Sequence, residues 1–181
     1  MTTEVVRMEE EADRIYWLIV RQLLLAQRGE AKIGVERPGQ IVGDRVIAQS
    51  IEEIADYAED IAIEVSQIVN KDYSKWSKIL EDLSQMNDLV QIILDKTMES
   101  LFRTDVKLAN DVIETTKIAF EKERSLATEI VTKVNEVDVA TSLRSVVWSL
   151  KQISRSAKVF SEIVINRSLA TPSETCKIEG I

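Results

Sequence analysis

The sequence predicts an all-α protein, an up-and-down antiparallel helical bundle of about five long helices. Only five Gly and two Pro occur in 181 residues, too few turn formers for the many tight turns of an all-β fold. Four of those glycines (Gly29, Gly34, Gly39, Gly43) and Pro38 cluster in one stretch, so the rest of the chain runs uninterrupted. Apolar residues recur at alternating steps of three and four, the period of one helix face.

From Met1 to Arg28 the apolar stripe is Val5, Met8, Ala12, Ile15, Ile19 and Ala26, flanked by Tyr16 and Leu23. The segment RGEAKIGVERPG breaks the pattern and reads as the one long loop. The second stripe is the cleanest: Ile47, Ile51, Ile54, Ala58, Ile61, Val65 and Ile68. Asn70 to Tyr73 is a polar turn, and a third helix from Ser74 to Phe102 carries Trp76, Ile79, Leu83, Met86, Val90 and Ile93. Thr104 and Asp105 read as the N-cap of the fourth helix, because their side-chain oxygens can accept from free backbone N–H groups. That helix carries Val106, Ala109, Ile113, Phe120, Ala127, Ile130 and Val134. After a turn near Val137 and Asp138, the fifth carries Val139, Leu143, Val146, Leu150, Ile153, Ala157, Phe160 and Val164. Each helix of roughly 25 to 30 residues runs about 40 Å, and short connections make neighbours antiparallel. The stripes, with Trp76 and Trp148, read as core. Residues 1–168 form one bundle, and residues 169–181 read as a flexible tail.

Composition excludes several functions. Acids outnumber bases 31 to 23, a formal charge of −8, which argues against a nucleic-acid backbone as partner. Histidine is absent, so no His-based triad, zinc site or imidazole shuttle can be built. The lone Cys176 allows neither an intrachain disulfide nor a Cys cluster. No apolar run approaches the roughly 18 residues of a spanning helix, and the N-terminal MTTEVVRMEEEAD is acidic where a secretory signal is basic. The expected compartment is the cytoplasm. No GxxxxGK[ST] loop is present to hold nucleotide phosphates, and a di-metal carboxylate enzyme in a helical bundle needs Glu-x-x-His pairs. The chain is not expected to be an enzyme.

A weak internal repeat appears when the fifth helix is set on the second with an offset of 99. RVIAQSIEEIADYAEDIAIEV then aligns with RSVVWSLKQISRSAKVFSEIV, with identities at Arg45/Arg144, Ser50/Ser149, Ile54/Ile153, Ala58/Ala157 and Val65/Val164. Helices three to five (residues 73–168) then form one three-helix repeat. Residues 1–70 supply the second and third helices of another, whose first helix is missing.

The charge is uneven. Residues 1–72 hold 15 acids and 8 bases, the remainder 16 and 15. Between Val46 and Asn70 there are six acids (Glu52, Glu53, Asp56, Glu59, Asp60, Glu64) and no Lys or Arg. Glu52, Asp56 and Asp60 stack at i, i+4, i+8, and Glu9 and Asp13 share that spacing on the first helix. Like charges four apart repel by about 0.2–0.5 kcal/mol per pair, and no interspersed base relieves them. A solvated acidic face, or for Glu9 to Glu11 a favourable helix N-terminus, is the plain reading. The functional reading is a bound hard cation, which all-oxygen carboxylate sites suit.

Two segments, MEEEADRIYWLIVRQL and SIEEIADYAEDIA, resemble the PhoU family of phosphate-transport regulators. The second follows the family string LERIGDHAxNIA closely. The family is built from two three-helix repeats whose E(D)xxxD motifs bind multinuclear metal clusters at the surface. The resemblance therefore implies Glu9, Asp13, Glu52 and Asp56 as ligands of divalent or iron metal ions. Two departures stand out. Lys151 and Arg155 occupy the Glu and Asp positions of the second repeat, where Glu121 remains but its partner is Ser125. These cations are expected to pair with Glu121 and Glu123. The family's first helix is also absent, and longer relatives carry it, sometimes with an AbrB-like domain, upstream.

The resemblance implies a regulator of inorganic phosphate uptake that acts by protein contact. Its partners would be components of a phosphate transporter, through the ATPase subunit, or a membrane sensor kinase. Nucleic acid is not expected as a partner, membranes are met only through partners, and a homo-oligomer such as a dimer is expected. The alternative is a metal-free helical scaffold or an accessory subunit of a phosphate permease.

Overall fold

The computed structural model of the chain describes residues 2–31 and 38–169. They form α1 (Thr2–Gln27), α2 (Pro38–Ile68), α3 (Ser77–Arg103), α4 (Val106–Lys133) and α5 (Val137–Leu169), with a 3-10 turn at Tyr73–Trp76 and no strand among them. Residues 32–37 of the expected long loop, and residues 170–181 of the expected tail with Cys176, lie outside the described residues.

The helix ends follow from local hydrogen-bond demand, since the last carbonyls and first N–H groups of a helix lack internal partners. Past α1, Gly29 takes the left-handed conformation (φ 74°). Its N–H reaches Ala26 and that of Glu30 reaches Leu25, both at 2.9 Å, closing a Schellman motif. Thr104 does the same past α3, with φ 52° and its N–H on Leu101. Asp105 alone caps α4, its carboxylate accepting from Leu108 N–H at 3.0 Å. The sequence reading gives both residues to the N-cap; the structure divides them, because the chain must reverse within two residues. Asp72 likewise accepts from Ser74 N–H at 3.0 Å, starting the 3-10 turn where the sequence suggests the first turn of a long α-helix.

α5 is the central helix, packed on α2, α3 and α4. α3 and α4 also pack on each other, whereas among the described elements α1 packs on α2 alone. The fold is thus a three-helix unit, α3 to α5, with a two-helix layer, α1 and α2, docked on it through α2. Gly43 permits the close approach of α2 to α5, since a Cβ there would lie 3.1 Å from Ile163 Cγ2. Asp44 and Arg167 form an ion pair beside it.

All eight stripe residues of α5 are buried, each large one stabilising by about 1.5–3 kcal/mol. On α4 the buried line is Ala109, Val112, Thr116, Ala119, Glu123, Leu126 and Ile130, and Val106 is exposed. The expected α4 stripe is correct at Ala109 and Ile130 and about a position off between them. α1 departs further, because Tyr16 and Leu23 are its buried residues while Met8, Ile15 and Ile19 of the expected stripe are exposed. A helix with one neighbour buries one line, here Tyr16 and Leu23, with the half-buried Glu9 one heptad before them. Trp76 is buried as expected. Trp148 is 43% exposed, its ring held edge-on to Tyr57 with centroids 5.5 Å apart.

Candidate functional site

The seam between α1 and α2 is built from acids. α1 presents Glu9 and Asp13, one turn apart, and α2 presents Glu52 and Asp56; all four are half-buried. On α2 the Ile47/Ile54/Ile61/Ile68 line faces α5, so the acids fall away from the core. Alanines share the seam: Ala48 is buried and Ala55 half-buried, and such small side chains let two acid-bearing helices approach.

The two pairs share one electrostatic environment. Burial, then Asp56, Asp13, Glu53 and Glu9, push the Glu52 carboxyl above its ordinary range. Asp56 is raised by burial and then by Asp60, Asp13 and Glu53. Glu9 is raised by partial desolvation and then by Glu59, Asp56, Asp13 and Glu10. Every neighbouring charge on these groups repels them, and no base compensates. Among the described residues, no Lys or Arg forms an ion pair with Glu9, Asp13, Glu52 or Asp56; on α1, Arg7 pairs instead with Glu4 and Glu11, and Arg14 with Glu10. The base of α2 nearest the seam, Arg45, lies over the Tyr16 ring, 4.8 Å from its centroid, and donates to Gln49.

Carboxylate oxygens with no competing cation are the right donors for Mg²⁺, Mn²⁺ or iron. The side chains do not form a finished cage: among the described residues, no three carboxylates converge closely enough to grip one ion. The structure therefore brings the four together as a repelling ridge rather than as a preformed site.

Sequence reading missed the polar link from this seam to the core. Gln49 donates to Glu53 at 3.0 Å, and Ser156 of α5 donates to the other Glu53 oxygen at 3.0 Å. Glu53 is thereby committed to holding α2 on α5. The available signal was its place at the edge of the apolar stripe, opposite the Ser-rich face of α5.

The second repeat resolves differently. Lys151 Nζ lies 2.8 Å from Glu123 Oε2 and 5.9 Å from the centroid of the Phe120 ring; Arg144 NH1 is 3.5 Å from Glu123 Oε1. Of the expected pairings, Lys151 with Glu123 is present. Glu121 is exposed rather than paired with either cation, because it projects from α4 away from α5. Arg155 is exposed too and, among the described residues, forms no ion pair; it lies near enough to Tyr57 to oppose the rise in that phenol's pKa. Lys151, tethered to Glu123, and the exposed Arg155 stand at the positions of Glu52 and Asp56 in the first repeat.

Fold and seam define an all-α protein of helical repeats whose polar surface features sit on helix faces. The chain belongs to the PhoU domain family, whose model matches residues 1–65 and 83–164. The first block covers α1 and most of α2, the second part of α3 with α4 and most of α5. That family is regulatory rather than catalytic, and the domain points to phosphate homeostasis. No curated protein and no solved structure matches the chain. Among the described residues, no helix is long and apolar enough to cross a membrane.

Proposed function

We propose that this protein is a cytoplasmic PhoU-like regulator of inorganic phosphate uptake that acts by contact with transporter components or a sensor kinase. In this reading Glu9, Asp13, Glu52 and Asp56 hold one or more divalent or iron ions at the α1–α2 seam. A bound cation would neutralise four mutually repelling carboxylates and tie the outer helix to α2. The supporting observation is that burial and neighbouring acids of both helices raise the pKa of Glu9, Glu52 and Asp56, with no base among the causes. Calorimetric titration with Mn²⁺, Mg²⁺ and Fe²⁺ tests the metal half: the wild type binds, and Glu52→Ala/Asp56→Ala does not. Absent binding, or binding unchanged in that variant, removes it. A pull-down from phosphate-limited cells tests the contact half, which fails if no transport or sensor component is recovered.

A metal-free scaffold or permease accessory subunit is the second reading. Two observations favour it: among the described residues no three carboxylates converge, and in the other repeat Lys151, at the position of Glu52, is ion-paired with Glu123. A melting temperature indifferent to both chelator and divalent cations supports this reading over the first.

A further inference from the structure

Among the described residues, α1 leaves more apolar surface open than any other helix. Six of its large apolar side chains are exposed (Met8, Ile15, Trp17, Leu18, Ile19 and Leu24), against three on each of the other four helices. Tyr16 and Leu23 face α2, so at 3.6 residues per turn Arg14, Leu18 and Arg21 fall on the opposite, outer side. Trp17 and Leu24 form the shoulder of that side, 58% and 50% exposed. The Trp17 ring is held there edge-on to Tyr16, with centroids 5.1 Å apart.

The charge of α1 is divided along its length. All five of its acids lie in residues 2–13, whereas residues 14–28 contain three Arg and no acid. Arg14, Arg21 and Arg28 are exposed and one heptad apart. Arg14 is shared with Glu10 at 3.1 Å, and among the described residues Arg21 and Arg28 form no ion pair. The outer face of this half therefore interleaves free guanidinium groups with Trp and Leu.

We propose that the second half of α1 is a membrane-surface element that seats the protein on anionic lipid. Such a face is satisfied where phosphates and hydrocarbon meet at one depth, as in the headgroup zone of a bilayer. Arg pairs with lipid phosphate there, while Trp and Leu enter the acyl boundary. Among the described elements α1 packs on α2 alone, so its outer side protrudes and can be laid on a flat surface. The chain is acidic overall, at −8, and the division of charge along α1 sets the orientation: the basic half meets the lipid and the acidic half turns away. This contact is direct, beyond the one expected through partners. It uses none of Glu9, Asp13, Glu52 and Asp56, so it stands whether or not they hold metal.

Vesicle co-sedimentation of the 181-residue protein tests this. Vesicles of phosphatidylcholine and phosphatidylglycerol in equal parts should carry the protein down. Phosphatidylcholine alone should not, and raised salt should release the bound protein. Arg21→Glu should lower the partition coefficient about tenfold or more, since one basic residue at an anionic surface is worth about fivefold. Arg155→Glu, the same change of charge at an exposed position of α5, should stay within about twofold of wild type. A second readout locates the contact independently of charge reversal. Vesicles with brominated acyl chains should quench the fluorescence of wild type and of Trp148→Phe, but not of Trp17→Phe. No sedimentation with the anionic vesicles, the result for a face that takes an acidic protein instead, overturns the proposal. So does equal sedimentation on both lipids, equal loss in Arg21→Glu and Arg155→Glu, or quenching that survives in Trp17→Phe.

Discussion

Lys151 of α5 donates its ammonium hydrogen to Glu123 of α4 at 2.8 Å, at the position that Glu52 holds in the first repeat. Glu123 is 6% exposed, and its two carboxylate oxygens are met by this contact and by Arg144 NH1 at 3.5 Å. Lys151→Ala is expected to destabilise by about 1–3 kcal/mol, the cost of leaving a buried acceptor short of a partner. Replacing the pair together, with Lys151→Met and Glu123→Leu, should recover most of the loss, because neither charge then remains buried. Urea unfolding of the three proteins measures both effects.

The acidic seam should make stability depend on pH. Folding raises the pKa of Glu9, Glu52 and Asp56, so the native state holds their protons more tightly than the unfolded chain. Their protonation therefore favours folding, and that stability is lost as pH rises through the raised folded values. Asp56→Asn, which keeps shape and removes charge, should stabilise at pH 7 by about 0.5 kcal/mol, the scale of one or two like-charge pairs. The gain should shrink towards zero as pH falls into the ordinary carboxylate range. Melting curves of both proteins from pH 7 down to about 4 check the sign.

The α3–α4 junction contains a mismatch between residue and conformation. Thr104 is β-branched and sits at φ 52°, where Gly29 serves the same motif after α1. Thr104→Gly should stabilise by about 1 kcal/mol by removing the steric penalty of a left-handed residue. Asp105→Ala should destabilise by about 1 kcal/mol through loss of the cap on Leu108 N–H. Opposite shifts in urea midpoint at adjacent positions are the expected result.

Phe160 and Phe102 separate core from surface. Phe160 is 1% exposed and Phe102 79% exposed. Truncation of Phe160 to Ala should cost about 3–5 kcal/mol, while Phe102→Ala should fall within about 0.5 kcal/mol of zero. Chemical denaturation distinguishes them directly.

Helix number, order and length were legible because a 3.6-residue period over some 25 positions is hard to produce any other way. The α5 stripe is correct at every position, since that helix has neighbours on three sides and its whole apolar face is used. The α1 stripe is displaced, since its most regular apolar line faces away from its single neighbour. Glu9, Asp13, Glu52 and Asp56 were selected by spacing on each helix. Spacing sets which carboxylates share a helix face, but says nothing of the rotation of one helix against another. Glu123 shows the same limit: the line Val112, Thr116, Ala119, Glu123 and Leu126 that buries it lies one position off the expected α4 stripe, so the sequence offers it as a partner for Lys151 and only the packing of α4 on its neighbours shows it as a buried charge.

By itself the sequence determined the helices, their antiparallel order, the uneven charge and the unlike chemistry of the two repeats, because each depends on residues near one another along the chain. Tertiary structure alone decided that, among the described helices, α1 rests on α2 only, that the four acids meet across one seam, and that Ile51 lies open where Leu150 is covered. Those outcomes depend on how helices rotate and which neighbours they have, and that is set by packing between segments far apart in the chain.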